Sequence, residues 1–140
     1  MTHAPSLAEI LADEHAALEH HMTAVLACLA SRCLRTMIEQ LQKTRAHLLQ
    51  HFQLEERDGY MEPVLRRRPE FHRTASNLLQ EHADLAARLD KLLADLSSAS
   101  HWNEPLAQNV RDWLDQLRSH EIRENKLVHE AFNVEIGAED

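Results

Sequence analysis

Glycine and proline are scarce in this chain of 140 residues, at two and four respectively. That scarcity excludes a fold of many short strands and tight turns. The Leu, Ala, Glu, Gln and Arg that dominate instead favour helix almost throughout. Cysteine is equally sparse: Cys28 and Cys33 are too few for a disulfide framework and fit no common zinc spacing. A reducing cytoplasm is therefore the expected compartment. No stretch approaches the roughly 18 apolar residues of a membrane span, and MTHAPSLAEILADEH lacks the apolar core of a signal peptide. Positive charge is in deficit, with 15 basic against 23 acidic residues and a formal net charge of −8. No basic stripe or basic–aromatic interleaving appears, which argues against a nucleic-acid partner. The one basic run, Arg66-Arg67-Arg68 before Pro69, reads as a solvated helix end.

What remains is a chain of a size that forms one domain and buries a core unaided. Four helical segments are expected, roughly 6–30, 34–66, 70–97 and 104–131, with a tail over 132–140. Ser6 is placed to cap the first helix, with Glu9 completing a capping box. Ser31-Arg32-Cys33 interrupts the pattern, Pro63 and Arg68-Pro69 end the second segment, and Ser97-Ser98-Ala99-Ser100 ends the third. Pro105 suits the first turn of the last helix. Long helices of similar length joined by short connections predict an all-α, up-down-up-down antiparallel four-helix bundle.

Each segment carries an apolar seam with steps of three and four. The seams run Leu7, Leu11, His15, Leu18, Met22, Val25, Leu29; then Leu34, Met37, Leu41, Thr44, Leu48, His51, Glu55. The third is Phe71, Ala75, Leu78, His82, Leu85, Leu89, Leu92, Leu96, and the fourth is Leu106, Val110, Trp113, Leu117, His120, Glu124, Leu127, Ala131. Thr44 aside, every polar interruption is a histidine or a glutamate: His15, His51, Glu55, His82, His120 and Glu124. Of the other seven of the eleven histidines, His20, His21 and His129 read as surface. His47 lies one turn before His51.

Chain lengths bring these six to one level. From His15 to the first break is about 16 residues, and from the restart at 34 to His51 is about 17, each near 25 Å at about 1.5 Å per residue. The legs from Glu55 and to His82 match at about 13 residues, and those from His82 and to His120 at about 16. An unpartnered carboxylate in a core costs several kcal/mol. Two carboxylates in one layer, with no Lys or Arg in the seams, point to a missing cation. Four imidazoles and two carboxylates are too many ligands for one tetrahedral zinc and too nitrogen-rich for calcium or magnesium. Two bridged ions satisfy the count, with iron the first choice and manganese or zinc less favoured. Glu-x-x-His, the spacing of ferritin-like di-iron bundles, is replaced here by His-x-x-x-Glu.

The motifs DEHAAL, HFQLEERDGYMEPVL, QEHADL and HEIRENKL together resemble the hemerythrin-like, or HHE cation-binding, domains over almost the whole chain. The resemblance implies that His15 and His51 hold one iron and His82 and His120 the other. Glu55 and Glu124 would bridge them with an oxo or hydroxo group. The oxygen-carrying members present two histidines a turn apart on the third helix, where Leu78 and Ala86 flank His82 here. They also carry an aspartate five residues after the fourth-helix histidine, where Asn125 stands and Glu124 is offered instead. One ligand fewer leaves an extra open position, as in the branch linked to nitric oxide and peroxide chemistry or to repair of iron centres.

The expected function is thus binding or sensing of O2, NO or peroxide at the di-iron site, inside an apolar pocket of Leu, Met and Trp113. The alternatives are turnover of such ligands in stress defence or iron-centre repair, and a metal-storage or structural bundle. Glu19, His47 and Tyr60 are the candidates for a seventh ligand.

Overall fold

A computed structural model describes residues 7–57 and 61–139. Ser6 and Tyr60 lie outside the described residues, as do the side chains of Leu7 and Leu11. The described residues form five helices in order: α1 Leu7–Ser31, α2 Leu34–Arg57, α3 Met61–Arg67, α4 His72–Ser98 and α5 Glu104–Glu139, with a 3-10 turn at Pro69–Phe71 before α4. Among the described residues there is no strand. The four long helices form a closed ring of neighbours: α1 packs on α2, α2 on α4, α4 on α5, and α5 back on α1.

One boundary differs from the expected segments. The second segment carries α2 to Arg57 and α3 from Met61, and its expected run through 58–60 lies outside the described residues. Proline lacks the N–H that a helix interior needs and clashes with the carbonyl four residues earlier, and Pro63 sits in the first turn of α3. The last helix continues through the expected tail to Glu139. No proline follows Pro105, and a lone Gly137 costs a helix only about 1 kcal/mol.

The other ends follow local chemistry. Arg32 closes α1 with a positive φ of 53°, the left-handed position that commonly ends a helix and that glycine usually fills. At the start of α5 the Leu106 N–H donates to Asn103 Oδ1 at 3.0 Å, an N-cap that satisfies one of the free donors of the first turn.

Burial follows the seams and splits the core in two. The larger apolar cluster includes Leu18, Met22, Val25, Met37, Leu41, Leu48, Leu89, Val110 and Leu117, drawn from all four long helices. A smaller one joins Val64, Ala75, Leu78, Leu127 and Ala131. Along α4 and α5 the polar seam residues fall between these two clusters, so a charged layer is sandwiched between two apolar ones.

Candidate metal centre

Each long helix sends side chains into this layer: α1 gives His15, α2 gives His51 and Glu55, α4 gives His82, and α5 gives His120 and Glu124. His51, Glu55, His120 and Glu124 are fully buried, His82 is 4 % exposed, and the His15 side chain is 16 % exposed. The structure therefore brings all six sequence-predicted residues together.

Their Nε2 atoms meet shared carboxylates. Glu124 lies between the two sides, with Oε1 3.1 Å from His15 Nε2 and Oε2 3.0 Å from His120 Nε2. Glu55 spans the other diagonal, since its Oε1 is 3.4 Å from His51 Nε2 and 3.3 Å from His82 Nε2. Both Glu55 oxygens, both His51 nitrogens and His82 Nε2 are nonetheless buried without a hydrogen-bond partner. They crowd one another while aligned for no mutual bond. Such orphans are costly, and cations set among the inward-facing atoms would answer them.

A buried residue outside the counted seam joins them. Glu121 is 7 % exposed, with Oε2 3.1 Å from His15 Nε2 and Oε1 3.3 Å from His51 Nε2. Neither oxygen has a hydrogen-bond partner. One donor atom from each of His15, His51, Glu121 and Glu124 lies within 4.8 Å of all the others, and the same holds for His82, His120 and Glu124. The seventh-ligand candidates fare differently. Glu19 is exposed and accepts from Arg118 at 3.2 Å. His47 is half-buried with its Nε2 3.8 Å from Glu14, outside both groups. His21, expected at the surface, is half-buried and stacks on His47 with ring centroids 4.8 Å apart.

A second circle of carboxylates orients the imidazoles from behind. His82 Nδ1 donates to Glu56 Oε2 at 2.9 Å, and His120 Nδ1 donates to Glu81 Oε1 at 2.8 Å. His51 Nδ1 faces Glu14 Oε2 at 3.5 Å. Glu81 is itself gripped by Arg123, which donates to it at 2.8 Å. A carboxylate only accepts, so the proton of neutral His82 or His120 stays on Nδ1 and the Nε2 lone pair points inward. This is the outer partner that metal-ligating histidines ordinarily have. The sequence held a signal for it and for Glu121: every inward helix pairs a seam residue with an adjacent acid, in Glu14-His15, Glu55-Glu56, Glu81-His82 and His120-Glu121.

In the protein alone, such a layer can relieve its charge only by taking up protons. Burial, with Glu124 and Glu121 close by, pushes the Glu55 carboxyl up to about 10. Burial would lower His82, but the carboxylates of Glu124, Glu55 and Glu56 around it carry it up to about 9. His15 and His120 are raised against the same burial by Glu124. Glu124 is held well below the usual carboxylate range despite its burial, because the raised Glu55 carboxyl and the imidazoles of His120, His15 and His82 all face it. Protons thus occupy the role that cations fill in a metal centre. The ring lying against these imidazoles is Phe52, stacked on His82 at 3.9 Å and 9°. Trp113, expected in the metal pocket, lies in the larger apolar cluster, where its Nε1 donates to the Leu85 carbonyl at 3.0 Å.

Comparison with known proteins agrees with this geometry. The family model described as the hemerythrin HHE cation binding domain matches residues 6–137. The chain has no significant match among curated proteins or among solved structures.

Proposed function

The chain belongs to the hemerythrin HHE cation-binding domain family, and from that premise we propose that it is a non-haem di-iron protein that binds or senses O2, NO or peroxide. The observation that carries the reading is the buried layer itself, in which seven side chains face one another with orphaned donor atoms and no Lys or Arg among them. His15 and His51 would hold one ion and His82 and His120 the other, with Glu55 and Glu124 shared. Mixed imidazole and carboxylate donors suit iron, with manganese or zinc as weaker candidates. Charge supports two ions as well: two divalent cations and one hydroxide balance three carboxylates.

A pair of irons would supply the redox change and the open coordination positions that small ligands require. The protein's own part is to orient, exclude and neutralise. Glu56 and Glu81 fix the His82 and His120 tautomers, Phe52 walls off water, and the apolar clusters on either side lower the local dielectric. The reading includes an up-down-up-down run of the four long helices, supported by their closed ring of neighbours. It also includes a reducing cytoplasm, supported by the free Cys28 and Cys33 thiols. No described helix is long and apolar enough to cross a membrane.

The test is the absorption spectrum of the diferrous protein under oxygen and, separately, under nitric oxide. A saturable change at about one ligand per iron pair is expected. No response to either gas would sink the assignment.

A further inference from the structure

The charged layer lies between two apolar clusters, so an ion reaches it sideways, between helices. Between α1 and α2 a run of polar side chains leads outward from it, alternating from one helix to the other. Glu14 Oε2 on α1 lies 3.5 Å from His51 Nδ1 and 3.8 Å from His47 Nε2 on α2. His47 stacks in turn on His21 of α1, with ring centroids 4.8 Å apart, and His21 meets the exposed His20 ring at 6.4 Å. We propose that His21 and His47 form an outer station for a divalent cation and, with Glu14, the route by which ions enter the layer. This rests on the metal-centre reading above and adds how that centre is filled.

Two orphaned nitrogens carry the argument. His47 Nε2 and His51 Nδ1 are both buried without a hydrogen-bond partner, although one Glu14 oxygen faces both. A buried imidazole nitrogen left unpaired is costly, and a cation in passage answers both nitrogens and the carboxylate together. An ion moving inward exchanges one donor group for the next in steps of 3.5 to 4.8 Å. It is therefore never bare inside the bundle, where a lost hydration shell would bar it. Helical spacing builds the run: His21 stands two turns after Glu14 on α1, and His51 one turn after His47 on α2.

Charge favours this side over the others. Behind His120, Arg123 grips Glu81 at 2.8 Å. Across the seam between α1 and α5, Arg118 holds Glu19, one turn from His15, at 3.2 Å. Both guanidinium groups repel an approaching cation. Behind His82 stands a single exposed carboxylate, Glu56, already engaged with the ring at 2.9 Å. At the outer station, burial, with His47, His20 and Lys43 close by, lowers the His21 imidazole. It is neutral at neutral pH, with a lone pair for a metal. Lys43, exposed one turn before His47, is the positive charge that an entering ion must pass.

The experiment follows cobalt(II) by its visible absorption in stopped flow, as it enters metal-free protein and as excess chelator withdraws it from loaded protein. Entry and exit share one route, so in the double variant His21→Ala/His47→Ala both rates should fall at least about tenfold. The final content of two ions per chain and the equilibrium affinity should stay as in wild type. His21→Ala alone, a change at a half-buried position, guards against misfolding and should give part of the slowing. Lys43→Ala should speed entry at low salt, with the gain lost at high salt. His101→Ala, at an exposed histidine outside the run, should change neither rate. Unchanged rates in the double variant, equal slowing in His101→Ala, or faster exit with unchanged entry would overturn the route while leaving the metal-centre reading intact. A wild-type protein that takes up no pair of ions would overturn both.

Discussion

The larger apolar cluster and the charged layer are built on the same seams, yet they settle their polar atoms in opposite ways. In the apolar cluster the few buried polar groups close on the backbone: the Thr44 hydroxyl donates to the Gln40 carbonyl at 2.9 Å, and the Trp113 indole to the Leu85 carbonyl. Nothing there calls for a further group. One or two turns away, Glu55, Glu121, His51 and His82 leave buried atoms without partners, and two shared carboxylates face four imidazoles. One region is complete in itself. The other is complete only with something of opposite charge, and the helices hold it together because the apolar clusters on both sides bear the stability.

That division can be broken from either side. The largest effect on folding should come from Leu89→Ala, which empties a fully buried position in the larger cluster. About 2–5 kcal/mol should be lost in denaturant unfolding, with the metal content of the folded fraction unchanged. Glu55→Gln should do the reverse. Metal affinity measured against a chelator should fall at least about 100-fold, while the metal-free protein gains about 1 kcal/mol because the amide needs no proton uptake to be buried.

Next in size is a pH dependence of opposite sign for the two forms. His82 titrates near 9 when folded against about 6.5 unfolded. Its contribution to the metal-free fold is therefore fully present below about 6.5 and is lost as pH rises through about 9. The raised Glu55 carboxyl acts in the same direction. Thermal melts of metal-free protein should fall between pH 6.5 and 9. Metal affinity should climb over the same window, because ligation displaces those protons. Parallel trends for the two forms would dissolve the contrast. The smallest effect belongs to Arg123→Ala. Freeing Glu81 from Arg123 loosens its hold on His120, so affinity should drop about tenfold. An exposed ion pair is worth little to the fold, so the melting temperature should barely move.

How much of this was legible in the sequence follows from helix geometry. Strict steps of three and four found His15, His51, Glu55, His82, His120 and Glu124, and leg lengths put them at one level because helical rise is nearly constant. Along the four long helices, what the count missed shares one feature. Phe52, Ala107, Leu114 and Glu121 are all buried, and each directly follows a seam residue. A globular helix buries a stripe wider than a coiled-coil seam, and which flank turns inward depends on where its neighbours pack. Glu121 is inward because α1 lies against that flank of α5, a fact that no single helix encodes. The outer carboxylates Glu14, Glu56 and Glu81 escaped for the same reason, since each orients a histidine on the next helix around the ring. The continuation of α5 to Glu139 shows how local punctuation misleads, since Gly137 did not end the helix.

The most direct test of the central claim is metal analysis, with an absorption spectrum, of protein purified without added metal. The account predicts about two irons per chain and near-ultraviolet charge-transfer bands of a bridged ferric pair. Zinc alone, or no metal under conditions where the chain is folded, would contradict it.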